Sequence, residues 1–334
     1  MSSFDDSVAV HTITAGKLRR YHHLTLWQHI LWPSLMVKNL GDAFLVGVGF
    51  VQSFFKLIIW RPDVIFTKGG YVCLPVGMAA HVLRIPLVIH DSDAHPGLTN
   101  RILSRWATSI GTGAPLEYYN YPRSRSKYTG IPIADGFKPF TKTQQWDAKR
   151  EWGINPDAPL VVVTGGGLGA TRLNKTVASI LKKLEKTTSV ILLSGVGPYN
   201  ELKTKLPKNS DHFQLHAFTN NMTQLLGAAD IVITRAGATT ILELAALAKP
   251  TILVPNAALT GGHQLKNAAV YDDAKAAIVL VEDEIVEKPE LLLQAVNNLL
   301  ANPKATQAMS RRFSIFAKPD AAKDMAKMIL AARK

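Results

Sequence analysis

The sequence predicts an α/β protein made of two parallel-sheet halves. Three observations lead there. Short aliphatic and β-branched runs alternate with amphipathic stretches along most of the chain, the pattern of parallel strands joined by crossover helices. Several strand-like runs end in glycine, as in DVIFTKGG (63–70), APLVVVTGGG (158–167) and DIVITRAG (230–237). The alternation also comes as two series, divided by a polar, proline-containing segment from Pro132 to Pro159. Two such series make two Rossmann-like domains facing each other across a cleft.

In the first series DSVAVHTIT (6–14) reads as a strand. LRRYHHLTLWQHILWP (18–33) reads as a basic helix; Lys17 just before it, with Arg19 and Arg20, offers charge to anionic headgroups, and beside Trp27 and Trp32 the stretch suits a membrane interface and internal packing equally. Ala43–Trp60 is the most apolar region, near the lower length limit of a spanning helix. Gln52, Ser53 and Lys56 interrupt it, so it reads as a helix buried in the domain. The strand at 63–70 leads into the helix YVCLPVGMAAHVLR (71–84). IPLVIHDSD (85–93) is the next strand, and HPGLTNRILSRWA (95–107) starts a helix with Pro96 near its first turn.

The second series opens with the strand and glycine loop at 158–167. It continues with the amphipathic helix 171–186, strands at 189–195 and 212–218, and a short helix at 222–229. The strand 230–237, helix 239–249, strand 250–256 and helix 263–275 follow, and the chain closes on a helix that starts at Lys318-Pro319-Asp320. The expected division is a first domain over 1–133, a linker over 134–158, a second domain over 159–315, and a C-terminal helix over 316–334 packing back toward the first domain.

Composition narrows the function classes. At 47% hydrophobic residues the chain can bury two cores. The single cysteine, Cys73, excludes an intrachain disulfide and a cysteine-based zinc knuckle, and fits a reducing compartment. The opening MSSFDDSVAV is acidic where a signal peptide would be basic. The net charge is +13, of which +8 falls in 1–150 and +5 in 151–334. Basic surfaces meet nucleic acid, anionic lipid or phosphorylated small molecules. With no basic recognition helix, zinc finger or aromatic RNP motif, nucleic acid drops out and lipid and nucleotide remain.

Ligands of parallel sheets bind at the carboxyl ends of strands. The candidate loops are therefore 68–71, 90–93, 164–170, 235–240 and 256–264. TGGGLGATRLN (164–174) joins a strand to a helix and reads as a phosphate loop or a tight turn. In TRAGATTILELAA, Gly237 follows a strand, Thr239 and Thr240 open a helix, and Glu243 lies within it. A carboxylate in so apolar a helix is costly without a partner, and ribose hydroxyls would supply one. Gln264 and Asn267 share a helix face at i and i+3. Asp91-Ser92-Asp93, flanked by His90 and His95, has the form of a metal-holding D-x-D clip, and the residues alone leave that reading open.

Taken in order, these stretches resemble the MurG family, glycosyltransferases that add N-acetylglucosamine to undecaprenyl-diphosphate-linked muramyl peptide. The matches are Lys68-Gly69-Gly70-Tyr71, HDSDAHPGLTNR against HEQN-x-x-PGLTNR, GIPI at Gly130–Ile133, GGGLGATRLN against GGSQGA-x-x-LN, RAGATTILELAA and HQLKNA. They run from about Gly16 to the last helix. The resemblance implies the GT-B architecture, with the donor site mainly in the second domain and the acceptor and membrane-contacting face on the first. It implies an inverting transfer from UDP-N-acetylglucosamine to the C4 hydroxyl of the lipid-linked acceptor, at the cytoplasmic face of the membrane and against an anionic surface. No metal or bound cofactor is implied, so Asp91 and Asp93 become cleft-lining residues.

The same resemblance suggests His90 and Asp91 as catalytic candidates. It suggests Asp93, Gly166, Gly167, Thr219, Arg235, Ala238, Thr239, Thr240, Glu243 and Gln264 as substrate contacts. Glu243 would hold the ribose, the backbone near Thr219 the uracil, and Gln264 the sugar. Ala238, Thr239, Thr240 and the Gly165–Gly169 loop would lie at the diphosphate.

Four departures from the family pattern stand out. The first strand and GGTGGH-type loop are expected to be missing, about fifty residues, which leaves the first domain incomplete. Gly167 replaces a serine, Ala134 an arginine and Asp93 an asparagine. Two further readings follow from them: a non-catalytic or partner-dependent GT-B protein, and a related transferase with another lipid acceptor.

Overall fold

The strands of the first series assemble into a four-stranded parallel sheet. In this computed structural model, which describes residues 8–17, 33–166, 170–257 and 262–333, the strands are β1 (Ile65–Thr67), β2 (Leu87–Asp91), β3 (Ser109–Thr112) and β4 (Ser126–Tyr128). They lie in the order β1-β2-β3-β4. All five residues of β2 are buried, because helices cover both faces of the sheet. The helices of this half are α1 (Pro33–Trp60), α2 (Cys73–Val82) and α3 (Leu98–Leu103).

Two sequence expectations fail here. Residues 8–14 form no strand. They run along α1 instead, where the backbone N–H of Thr14 donates to Gln52 Oε1 at 2.8 Å. The approach is close enough that a Cβ on Gly49 would fall 1.9 Å from the Thr14 carbonyl oxygen, so only glycine fits that helix position.

The second failure is α1 itself, which is not a buried core helix. Asp42, Val46, Ser53 and Leu57 are buried on one flank, and α1 packs there against α2. On the other flank Val37, Leu40, Phe44, Val51, Phe55 and Ile59 are exposed, Phe44 by 71% and Ile59 by 84%. The segment is apolar nearly all round, so its composition could not reveal which flank the domain would leave open. By length and hydropathy Met36–Trp60 would suffice to cross a membrane, yet one flank is fixed to the protein. The basic stretch with Arg19, Arg20, Trp27 and Trp32 lies outside the described residues.

The second sheet has six parallel strands: β5 (Leu160–Thr164), β6 (Ser189–Leu193), β7 (Phe213–His216), β8 (Ile231–Thr234), β9 (Thr251–Leu253) and β10 (Ile278–Val279). Their order is β10-β9-β8-β5-β6-β7. The chain thus winds outward from β5 to one edge, returns, and winds from β8 to the other. The neighbouring ends of β5 and β8 mark the switch point, where helices leave the sheet on opposite faces and open a crevice for ligand.

Before this sheet the segment expected as a linker folds into α4 (Lys142–Glu151), started by a Thr141/Gln144 capping box. It is anchored to the second half. Gln145 Nε2 donates to Asp230 Oδ1 at 3.0 Å, and the buried Lys149 Nζ lies 2.7 Å from Asp230 Oδ2. Around the sheet follow α5 (Thr171–Leu184), α6 (Val196–Lys205), α7 (Met222–Ala228), α8 (Ala238–Ala246), α9 (His263–Asp273), α10 (Glu282–Glu287), α11 (Glu290–Ala301) and α12 (Pro303–Ser314). The last helix, α13 (Ala321–Ala331), packs on the first sheet. Its Met325 is buried with Val88, and Lys127 Nζ reaches Asp324 at 3.1 Å.

Candidate active site

The carboxyl end of β2 forms the acidic wall of a cleft of about 330 Å³. Asp91, Ser92 and Asp93 line it together with Lys17, Lys68, Gly69, Gly70 and Asn100, and His263 closes it from the second half. Gly69 and Gly70 take positive φ, 82° and 88°, which turns the chain sharply between β1 and α2. A Cβ on Gly69 would sit 2.9 Å from Asn100 Nδ2, an atom that donates to the His90 carbonyl at 3.1 Å. The sequence reading gave Lys17 to the membrane, whereas the fold brings it to this cleft.

The two catalytic candidates separate clearly. His90 is fully buried and does not line the cleft. Its Nε2 lies 2.8 Å from the Gly130 carbonyl, which can only accept, so the ring proton sits on Nε2 and Nδ1 faces Ser92 Oγ at 3.4 Å. Burial lowers the ring to about 4 and holds it neutral, with the nearby Lys68 acting in the same direction. With both nitrogens committed and no exposed surface, His90 cannot reach a substrate. Its expected catalytic role is replaced by a structural one, tying β2 to the Gly130 turn.

Asp91 is also well buried, but it lines the cleft. Burial pushes its carboxyl up to about 7. Hydrogen bonds from Tyr121 and Asn100 pull it down, the Asp93 charge pushes it up, and the Gly97 N–H pulls it down again. A carboxyl that changes charge near neutral pH suits general-base chemistry. Tyr121 Oη donates to Asp91 Oδ2 at 2.8 Å. Asp93 turns across the cleft, its Oδ1 accepting from Asn267 Nδ2 at 2.9 Å and its Oδ2 lying 3.7 Å from His263 Nδ1. The two carboxylates are therefore aimed at different protein donors and do not converge as a D-x-D clip would require. Among the described residues no group of three or more His, Cys, Asp or Glu side chains is arranged to hold a metal.

Asn267 ties the two halves together at the cleft. Its Oδ1 accepts from the Ala94 N–H at 2.8 Å, while Nδ2 also donates to the Ala236 carbonyl at 3.1 Å. The loop after β2, the turn after β8 and the start of α9 are thereby held on one 3%-exposed side chain. Gln264, one turn earlier, accepts from the Asn256 N–H at 2.8 Å and so fixes the loop before α9.

The remaining sequence-selected residues gather at the switch point of the second sheet. Gly166 ends the described part of the first glycine loop, and a Cβ there would lie 3.8 Å from Thr240 Oγ1, so the loop after β5 and the start of α8 approach each other at this point. Gly167 lies outside the described residues. Ala238 and Thr239 open α8, with Thr239 exposed. Thr219 is half-buried beyond β7, its Oγ1 accepting from the Asn221 N–H at 3.0 Å. Glu243 is half-buried on α8, burial raises its carboxyl above the ordinary range, and it has no side-chain partner among the described residues.

Arg235 is a correction. It was expected to touch substrate, but its guanidinium is buried against Glu282, at 5% and 3% exposure, and it also donates to the Val254 carbonyl at 3.2 Å. Arg172 joins the same carboxylate at 3.3 Å from outside. A charged residue at the end of a strand reads as a ligand contact, and nothing local reveals a partner 47 positions later.

Sequence reasoning also passed over Tyr119 and Tyr121. They sit in an irregular segment with no periodicity and no motif. The only available signal was that two buried aromatics carrying hydroxyls each need a polar partner.

The chain matches two family models along its length: the glycosyltransferase family 28 N-terminal domain over residues 5–112 and the glycosyltransferase family 28 C-terminal domain over residues 160–325. It is 33% identical over 296 residues to the UDP-N-acetylglucosamine--N-acetylmuramyl-(pentapeptide) pyrophosphoryl-undecaprenol N-acetylglucosamine transferase of Clostridium kluyveri, covering 88% of this chain and 78% of that one. It is 36% identical over 300 residues to the protein of the same name from Lachnoclostridium phytofermentans, covering 89% and 78%. Among solved structures it is similar to Acinetobacter baumannii MurG, with a TM-score of 0.71 and 25% identity over 87% of this chain and 79% of that one. The fold alone is shared with a Neisseria meningitidis UDP-GlcNAc 2-epimerase bound to UDP-GlcNAc, with a TM-score of 0.64 at 12% identity.

Proposed function

The chain belongs to glycosyltransferase family 28, within the MurG family of that fold, and from this premise we propose that it transfers N-acetylglucosamine from UDP-N-acetylglucosamine to undecaprenyl-diphosphate-linked muramyl pentapeptide. One observation carries the reading at the level of the site. The acidic loop after β2 meets, through Asn267, the helix that carries Gln264, so a wall able to take a proton faces the half with the nucleotide crevice. Asp91 takes the proton of the attacking hydroxyl, and UDP departs with inversion at the sugar carbon. The amino-terminal ends of α5 and α8 supply N–H groups and partial positive charge to the leaving diphosphate. Residues 1–133 are read as the acceptor half and 159–315 as the donor half.

The test is direct. Incubated with UDP-N-acetylglucosamine and the lipid-linked acceptor, the full chain should form the disaccharide product, and EDTA should leave the rate unchanged. No product with an active relative run in parallel would favour the partner-dependent reading. Loss on chelation with recovery on adding manganese or magnesium would return Asp91 and Asp93 to a metal site.

Glu243 is read as the ribose contact, on the strength of its half-buried carboxyl without a side-chain partner among the described residues. Glu243→Ala should weaken UDP binding by about 1.5–3 kcal/mol, the range for hydrogen bonds to a charged group. Calorimetry giving an unchanged Kd would take Glu243 out of the donor site.

The exposed flank of α1 supports a peripheral attachment to the cytoplasmic face of the membrane. An undecaprenyl chain cannot leave the bilayer cheaply, at about 0.8 kcal/mol per CH₂ moved into water, so the enzyme has to come to it. Phe44 and Phe55, exposed by 71% and 60%, are the largest side chains along the middle of that flank. Full burial of each in the interface is worth about 1.5–3 kcal/mol. The double substitution Phe44→Glu/Phe55→Glu should therefore cut vesicle binding more than tenfold. Binding to anionic vesicles should exceed binding to neutral ones and fall with salt. Equal binding to both at every salt concentration would leave a purely hydrophobic contact.

A further inference from the structure

We propose that Tyr121, locked in place by Tyr119, is the positioning residue that aims the Asp91 carboxylate at the acceptor hydroxyl and keeps it ready to receive a proton. The inference rests on the reading of Asp91 as the base.

Tyr121 is 8% exposed, and its hydroxyl donates to Asp91 Oδ2 at 2.8 Å. The ring cannot swing away, because it stacks on Tyr119 with centroids 5.6 Å apart and planes 13° from parallel. Tyr119 is fastened at its own hydroxyl, which accepts from the Ala114 N–H at 3.2 Å and donates to the Asp93 carbonyl at 2.7 Å. One tyrosine thus holds the side chain of Asp91, and the other holds the backbone two residues further on. Neither ring belongs to the elements at the nucleotide crevice.

The arrangement serves the chemistry in two ways. A carboxylate fixed in one rotamer presents the same oxygen to every acceptor, which is the orientation that proximity requires. The Tyr121 hydroxyl also stabilises the ionised form against the burial that opposes it, so that the base is charged near neutral pH. Burial and the neighbouring Asp91 charge push the Tyr121 phenol far up, so it stays a donor throughout. In the reaction, the Asp91 carboxylate takes the hydroxyl proton as the oxygen bonds to the sugar carbon. The bond from that carbon to the phosphate oxygen breaks, UDP leaves with the electron pair, and Asp91 is left protonated.

Other charges also face this carboxylate. Asp93 lies on the same loop, Lys17 and Lys68 line the cleft, and His263 closes it from α9. Arg101 of α3 acts on Tyr121. None of them is altered by removing a phenolic oxygen, so a shift on Tyr121→Phe reports that single hydrogen bond.

The experiment measures kcat against pH for the full chain, Tyr121→Phe, Tyr119→Phe and Asp91→Asn, with UDP-N-acetylglucosamine and the lipid-linked acceptor. Losing a hydrogen bond to a charged group should move the acidic limb of the Tyr121→Phe profile up by about one pH unit, a loss of about tenfold on that limb, with the donor KM unchanged. Tyr119→Phe keeps the ring stacked on Tyr121 and so spares the Asp91 contact. It should leave the limb in place, and a limb that moves as far as in Tyr121→Phe would show that the shift does not report the Tyr121 hydrogen bond and would overturn the proposal. If Asp91→Asn retains activity, the base reading has failed and takes this inference with it. If Asp91→Asn is inactive and the Tyr121→Phe limb does not move, the tyrosine inference alone is overturned. Should Tyr121→Phe not fold, NMR of the unaltered protein decides. The Cζ resonance of Tyr121 should follow a carboxyl titration near neutral pH while that of Tyr119 does not, and a Tyr121 signal flat through that range would overturn the proposal.

Discussion

Asp91→Asn is expected to lower kcat for N-acetylglucosamine transfer by about 10²–10⁴-fold, the range over which a positioned general base contributes. The substitution keeps the shape of the side chain and removes only its ability to take a proton. Affinity for UDP should hold, because the proposed nucleotide contacts lie at the ends of β5 and β8 in the other half. The unaltered enzyme should also lose activity as pH falls. Asp91 has its carboxyl raised to about 7 by burial, so it is a charged base above that pH and a neutral acid below it, and the rate should drop about tenfold per pH unit beneath the midpoint. Steady-state kinetics across that range check both statements. A fully active Asp91→Asn would require the proton to leave by another route, and His90, with both nitrogens engaged and no exposed surface, is not available to supply one.

Glu282→Ala should be the most destabilising of the changes considered, by about 3–5 kcal/mol, the cost of leaving a buried charge without its partner. Glu282 is 3% exposed and neutralises Arg235, which is 5% exposed, and it also receives Arg172 at 3.3 Å. Without it the Arg235 guanidinium keeps only the Val254 carbonyl among its described partners. The loop that follows Val254 leads to α9, so donor affinity should weaken along with stability. Replacing both partners by apolar residues, Arg235→Met with Glu282→Leu, should recover most of the loss, since an unpaired charge and not the missing attraction is the penalty. A denaturant titration of the single and double variants separates the cases. A single variant within about 1 kcal/mol of the parent would mean that water reaches the guanidinium after all.

The parts of the site differ in how far they could be read in advance, and particular residues show why. The turns after β1, β5 and β8 follow from strand-then-glycine patterns, and the loop after β2 from its place at the carboxyl end of a strand, because parallel sheets present ligands at those ends whatever the details. The fate of a side chain at such an end does not follow. His90 and Asp91 are neighbours on one strand with alternate orientation, and which of them lines the cleft depends on register with β3 and on the Gly130 turn. Arg235 reads locally as a ligand contact, and only the fold brings Glu282 to it. Lys17 reads as a membrane charge next to Arg19 and Arg20, and only the packing of 12–17 along α1 carries it to the cleft.

The amino-acid sequence by itself determined the two parallel-sheet halves, their strand-to-glycine turns and the family they belong to, because these depend on local periodicity and on short motifs that keep their meaning in any context. Tertiary structure alone decided which flank of α1 is left bare, which of two adjacent residues faces the cleft, and which charges neutralise one another. Each of those outcomes is set by what lies opposite a side chain in space. The contacts that settle them join residues far apart in the chain, such as Tyr121 with Asp91, Asn267 with Asp93 and Ala94, and Arg235 with Glu282, and no local pattern encodes a partner at that separation.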